Sequence, residues 1–322
     1  MVMKHFGSGY LYIVLCAVIF STMEIMLKTV SGVFVPMQIT AIRFLIGGML
    51  LIPFALRALR SKGTRLTRAD LAFFLKTGFL CVTVSMVLYQ MAITYTKASV
   101  VAVIFSCNPI FVTILAWLLL REKINGNHIA ALFIEVFAIV IIINPFNAQL
   151  APAGIVLSIL AAVAFSFYSV VGKKRTPKYG GITVTCFSFL CGSAELILVL
   201  LLGRIDVVGR FFTSIGLNIF VDVPLFSGIP LSALPALFYI CAVNSAAGYV
   251  CHMMALEKTS AREASIIFFL KPMIAPVFAY IFIHEKISLN MMLGILCFLI
   301  GSGVAIVPGL LEERKNRHKE KP

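Results

Sequence analysis

Apolar runs of about twenty residues follow one another along this chain, each closed by a short polar stretch rich in Gly, Pro, Lys or Arg. A helix that crosses a hydrocarbon layer needs about 20 mostly apolar residues. The pattern predicts ten such helices, over 8–30, 36–58, 70–94, 98–120, 127–144, 153–172, 181–203, 231–256, 261–283 and 288–310. The breaks carry turn residues: Ser31-Gly32 ahead of Pro36, Asn144-Pro145 after the fifth run, and Gly180-Gly181 before the seventh. Backbone polar groups cannot go unpaired in lipid, so helices rather than strands are expected. The first run, Tyr10 to Leu27, lacks a convincing small-residue cleavage site and reads as the first spanning helix rather than a signal peptide.

The chain repeats itself. A shift of 163 residues lays the third to fifth helices on the eighth to tenth: Ala92 on Ala255, Thr96 on Thr259, Pro109 on Pro272, and Glu122-Lys123-Ile124 on Glu285-Lys286-Ile287. A shift of 145 lays the first two on the sixth and seventh: Gly9 on Gly154, Phe20-Ser21 on Phe165-Ser166, Lys28 on Lys173, and Gly47 on Gly192. The halves are 1–145 and 146–311, followed by a basic tail at 312–322. Five helices is an odd number, so the second half enters the membrane from the opposite face. Inverted repeats of this kind accompany alternating access around a midplane site, one repeat rocking against the other. The extra residues between helices seven and eight, Arg204 to Pro230, are too apolar for a free linker and too short to span; an interfacial or re-entrant segment is expected.

Composition agrees with a lipid solvent: 61% hydrophobic, 12% charged, mean hydropathy +1.03. The net charge of +14 would suggest nucleic acid in a soluble chain, but no aromatic-basic surface accompanies it. With the N-terminus in the cytoplasm, 19 of the 27 Lys and Arg fall in inside segments and four outside, so both termini are expected to be cytoplasmic. A multi-pass protein of a cell membrane, prokaryotic by type, is the expected setting. The eight cysteines lie within apolar runs without a Cys-x-x-Cys pair and read as small packing residues.

Phe20-Ser21 through Lys28, Ile42-Arg43-Phe44-Leu45, Ala98-Ser99-Val100 through Asn108-Pro109, and the run from Trp117 to Lys123 resemble the drug/metabolite transporter superfamily of the EamA type. The run from Ala255 to Ala261, Lys271-Pro272, and His284-Glu285-Lys286 resemble its second copy. The resemblance covers nearly the whole chain. It implies ten helices in a five-plus-five inverted arrangement, a central cavity lined by helices one to four and six to nine, and transport of amino acids, other metabolites or drugs. The sequence departs from the family at Phe20-Ser21, where Trp-Gly is usual, and at Lys271, where an acid is common.

Charges at membrane depth are costly and tend to face a cavity or a partner. Glu24 shares a helix stripe with Ser21 and Lys28; it reads either as an i,i+4 partner of Lys28 or as a cavity residue and proton carrier. Arg43 is expected to bridge to Glu24 or to touch substrate. Glu195 is the second proton-carrier candidate, with a buried structural acid as the alternative. Glu135 is expected to make a helix–helix hydrogen bond. Asn108-Pro109 and Lys271-Pro272 stand at matching repeat positions, where a proline kink frees a backbone carbonyl and suits a binding site. Tyr89, Gln90 and Tyr168 could add hydrogen bonds, and Asn244, Gly248 and His252 recur every four residues on one stripe. Lys271 needs an anion, either an internal acid such as Glu24 or Glu195 or a substrate carboxylate.

There is no His-Glu-x-x-His, Gly-x-Ser-x-Gly or P-loop, so neither an enzyme nor ATP-driven coupling is indicated, and no cofactor or metal is called for. The expected function is secondary transport of a small polar metabolite, an amino acid or similar zwitterion, in the export direction, with a proton as coupling partner. The alternatives are a drug, nucleoside or organic-cation exporter of the same fold and a membrane scaffold without flux.

Overall fold

A computed structural model describes residues 3–122, 126–143, 152–301 and 303–304. Among these residues all regular structure is helical. Eight helices are long and apolar enough to cross a membrane: Ser8–Thr29, Pro36–Ser61, Arg68–Tyr95, Ala98–Leu120, Pro152–Lys173, Gly181–Leu202, Leu231–Lys258 and Ile266–Ile283. Shorter apolar helices, Ile129–Ala138 and Leu289–Gly301, occupy the places expected for the fifth and tenth. Ordinal names below follow this order of ten. Large apolar side chains such as Phe54, Trp117, Phe133, Tyr280 and Phe282 point outward from the bundle, as lipid-facing positions should. Most of the eight cysteines are buried, in keeping with a packing role.

Helices in lipid associate through close packing, and small residues set how near they come. The third and seventh helices touch at Gly78 and Gly192: a Cβ on Gly78 would lie 2.5 Å from the Gly192 nitrogen and 2.6 Å from the Ser188 carbonyl oxygen. The repeat shows in such contacts. Gly9 of the first helix faces the Thr259 methyl of the eighth at 2.6 Å from a built Cβ, and Gly154 of the sixth faces the Thr96 methyl of the third at 2.9 Å. These are the same contact made twice, once from each half.

The third and eighth helices each contain a π-helical stretch, Phe79–Met86 and Tyr239–Ala247, which overlap under the 163-residue shift. Such stretches rotate the residues beyond them relative to a straight α-helix and are common at functional sites. Tyr89 and His252 follow them. The fourth helix is interrupted at Ser106 and Cys107, so Pro109 stands in the first turn of its second segment, where a proline lacks no needed donor. Pro272 instead lies inside the continuous segment Ile266–Ile283, and that half is interrupted earlier, around Ser265. The matched prolines therefore do not make matched breaks.

Between the seventh and eighth helices lies a short helix, Asp206–Ser214, with Val207 and Phe211 exposed. The Ser227 carbonyl of this segment accepts a 3.0 Å bond from Gln38 at the start of the second helix. An amphipathic piece lying at the membrane surface fits it. On the opposite face Asp70, which caps its own helix through the Thr67 N–H, also accepts from Lys178 at 2.9 Å and from the Tyr179 hydroxyl. The Asp70 carboxylate, and then the Tyr179 hydroxyl, hold the Lys178 ammonium above its ordinary pKa.

Candidate functional site

The first helix is broken at Thr22, which separates Met3–Ser21 from Met23–Thr29. Ser21 and Thr22 turn their hydroxyls back onto the Ala17 and Ile19 carbonyls, a bonding pattern that bends helices. The second segment carries Glu24 into the bundle. There its carboxylate forms an ion pair with Lys271 of the ninth helix and accepts the Tyr89 hydroxyl of the third. Glu24, Lys271 and Tyr89 are each 1% exposed. The Lys271 ammonium also stands 5.1 Å from the Phe105 ring centroid and 5.7 Å from that of Tyr89, both near enough for cation–π attraction.

Position for position, the other half of the chain builds a neutral version. Asn108 stands where Lys271 does, Ser169 where Glu24 does, and His252 where Tyr89 does. The Asn108 amide donates to the Ala162 carbonyl at 3.0 Å and to Ser166 Oγ at 2.8 Å, and Ser169 Oγ meets His252 Nε2 at 3.0 Å. Between the two clusters lies an aromatic layer: Phe165 packs on His252, Tyr249, Phe105 and Phe268 with ring centroids 5.1–6.0 Å apart.

Arg43 of the second helix is fully buried, with its guanidinium carbon 4.5 Å from the Phe44 ring centroid. Its Nε, Nη1 and Nη2 have no hydrogen-bond partner. The expected bridge from Arg43 to Glu24 is therefore absent: Lys271 and Tyr89 both meet Glu24 at Oε1, and its Oε2, like the Arg43 nitrogens, has no hydrogen-bond partner. The expected Glu24–Lys28 pair is absent too, since Lys28 reaches the third helix instead. Of the two anions weighed for Lys271, the internal acid is the one in place.

The remaining candidates divide. Asn244 donates to the Ile19 carbonyl and to Thr22 Oγ1, both at 2.9 Å, so it braces the break in the first helix. Tyr168 is fully buried against Phe165, and Gln90 is buried with its side-chain oxygen unpaired. Glu195 is half-buried and accepts a 3.1 Å bond from Thr83, apart from the Glu24 cluster. The Glu135 side chain lies outside the described residues.

Two further assemblies went unread in the sequence. Lys28 Nζ donates to the carbonyls of Ile93 (3.0 Å) and Thr96 (3.3 Å) at the end of the third helix. Lys173 Nζ donates to those of Leu256 (3.0 Å) and Thr259 (2.7 Å) at the end of the eighth. A cation on the last carbonyls of a helix is favoured by the helix dipole. Beside them, Glu285 accepts from Ser99 Oγ, and Glu122 accepts from the Ala261 N–H at 3.3 Å. Each carboxylate thus leaves the end of one helix to hold the start of its counterpart in the other half. Arg121 and His284, just before these acids, share the left-handed conformation that turns the chain there, with φ of 58° and 51°. The pairing of Lys28 with Lys173 and of Glu122 with Glu285 under the repeat was the available signal.

Comparison with known proteins places this geometry. The profile of the EamA-like transporter family matches residues 7–144 and again 152–307. A protein of Clostridium kluyveri named as an uncharacterized transporter is 37% identical over 303 residues, covering 92% of each chain. Protein PecM of Dickeya dadantii is 25% identical, covering 75% of each. A solved crystal structure superposes with a TM-score of 0.67 at 16% identity, over 95% of this chain and 98% of that one, a likeness of fold alone.

Proposed function

The chain belongs to the EamA-like transporter family and is a multi-pass membrane transporter; on that premise, we propose that it is a secondary transporter that exports a small polar metabolite bearing a carboxylate, such as an amino acid, by alternating access. The observation that carries this reading is the buried cluster of Glu24, Lys271 and Tyr89 in the interior of the helix bundle, with Arg43 also fully buried on the second helix. Charged groups at this depth mark substrate and ion pathways. The matched assemblies at Lys28–Ser99–Glu285 and Lys173–Glu122–Ala261 support alternation, because they close the same kind of contact at opposite faces of one fold. The export direction rests on the family resemblance.

A coupling proton has one well-placed acceptor. Protonation of Glu24 would cancel the charge that Lys271 answers and leave the ammonium free, which ties a proton to the state of the site. Glu195, half-buried and bonded only to Thr83, is the second choice. Purified protein in liposomes tests the function: flux of a carboxylate-bearing solute driven by a pH gradient supports it, and protein that moves nothing is a scaffold. If Glu24→Gln leaves the pH dependence of flux unchanged, Glu24 is not the proton carrier.

A further inference from the structure

Arg43 poses a charge problem. The buried centre holds three ionic groups: the Glu24 carboxylate, the Lys271 ammonium and the Arg43 guanidinium. The first two neutralise each other in a direct ion pair. The third has nothing to answer it. All three of its nitrogens are buried and unpaired, and among the described residues no carboxylate lies within ion-pair distance of it. Asp70, the other buried acid among the described residues, is held by Lys178 and Tyr179 near one membrane face. A guanidinium cannot shed its proton to escape this cost. With the site closed, the centre therefore holds one unanswered positive charge.

We propose that Arg43 is the anchor for an anionic group on the transported molecule, and that the preferred substrate is a small organic monoacid carrying net charge −1. This deepens the transport reading and rests on it. The guanidinium fork offers parallel N–H donors, the geometry that holds a carboxylate through two bonds at once. The fork sits against an aromatic wall, Phe44 with Phe189 at 4.6 Å and Tyr249 at 5.6 Å between centroids, an apolar setting suited to the carbon skeleton of such an acid. Charge balance ranks the substrates. A net monoanion brings the closed centre to neutrality, a zwitterion leaves it at one positive charge, and a cation raises it to two. An amino acid fits best when its side chain adds a second carboxylate. Glu24 does not reverse this ranking, because its single negative charge is already balanced by Lys271 in the count.

The test is thermal stabilisation of the purified full chain by three matched probes on one skeleton, 3-phenylpropionate, phenylalanine and phenethylamine, extended to a library of small organic acids, amino acids and amines. Wild type, Arg43→Gln and Arg43→Lys are compared, and flux in liposomes is read separately. Acids should rank first in wild type. Their apparent affinity should fall about a hundredfold in Arg43→Gln and be partly retained in Arg43→Lys, which keeps the charge but not the fork. Without ligand, Arg43→Gln should melt at or above the wild-type temperature, because it removes an unanswered charge. The proposal is overturned if no acid stabilises the wild type, if amines or neutral zwitterions rank first and bind Arg43→Gln equally well, or if Arg43→Gln melts well below wild type without ligand. An acid that binds through Arg43 but is never carried across liposomes would sink the transport reading and leave the anion site standing.

Discussion

Replacing Lys271 by Met removes the one ammonium that answers Glu24 and leaves a carboxylate 1% exposed among aromatic rings. Breaking a buried pair from one side costs about 3–5 kcal/mol, because the surviving charge has lost its partner but not its desolvation cost. Tyr89 still donates to Glu24, so the loss should fall toward the lower end. At about 1.4 kcal/mol per tenfold, that is roughly two orders of magnitude in the unfolding equilibrium. The double variant Glu24→Gln/Lys271→Met has neither charge and should recover most of that loss, since well-packed neutral replacements of a buried pair are often neutral or stabilising by about 1–4 kcal/mol. Asn108→Met at the equivalent position of the other half supplies the control. It loses two neutral hydrogen bonds and should cost about 1–3 kcal/mol. Denaturant titrations of these four proteins, with Glu24→Gln alone to close the cycle, give in mild detergent the coupling between positions 24 and 271. Independent sites add within about 0.5 kcal/mol. A single Lys271→Met variant no less stable than the double variant would refute the account of Lys271 as the partner of Glu24.

Two other outcomes follow from the packing. Lys173→Met and Glu122→Gln should loosen the face closed by Lys173, and Lys28→Met and Glu285→Gln the opposite face; cysteines introduced near Thr259 and near Thr96 should then gain reactivity toward an impermeant thiol reagent in the respective pair only, and equal gains at both faces would contradict separate closures. Gly78→Ala should destabilise by about 1–3 kcal/mol, more than Gly47→Ala, because the new methyl meets backbone atoms at 2.5–2.6 Å in the first case and none nearer than 3.3 Å in the second; thermal melting of the two variants would show the order.

Helix positions were legible in the sequence because the lipid imposes a length and a polarity on every span, and the repeat was legible because both registers run without gaps. The neutral half-site was hidden by its chemistry. A buried Lys or Glu stands out in an apolar run, whereas Ser166 and Ser169 look like ordinary small helix residues until Asn108 and His252 are seen to meet them. The acids at the helix ends, Glu122 and Glu285, lay in segments whose basic neighbours read as topology signals, so their reach across the fold could not be seen along the chain. Which of Lys28, Arg43 and Lys271 would meet Glu24 was left open for a related reason. Lys28 and Arg43 are near it in sequence or depth, but helix rotation decides which side chains meet, and that cannot be read along the chain. Arg43 itself was visible; that its nitrogens find no hydrogen-bond partner was not.

The contacts also decide which parts of the fold would travel together if the site opens. The halves of the sequence are not the packed units. The first helix binds the eighth and ninth, through Gly9 against Thr259, Phe20 against Gly248, and Glu24 with Lys271. The sixth binds the third and fourth, through Gly154 against Thr96, Ser85 with the Ala161 carbonyl, and Asn108 with Ser166. Each unit thus takes one helix from one repeat and two from the other, and each contains one of the strongest polar ties of the midplane. What joins the two units is placed differently. Lys28 to the third helix and Glu285 to Ser99 join them at one face; Lys173 to the eighth helix and Glu122 to Ala261 join them at the other. At the centre they meet through Tyr89 on Glu24 and His252 on Ser169. A rocking motion between these mixed units can therefore open one face by releasing one lysine and one carboxylate while the central pair acts as the pivot. Motion between the sequence halves would instead have to break the Glu24–Lys271 ion pair, and stranding either charge of a buried pair costs about 3–5 kcal/mol.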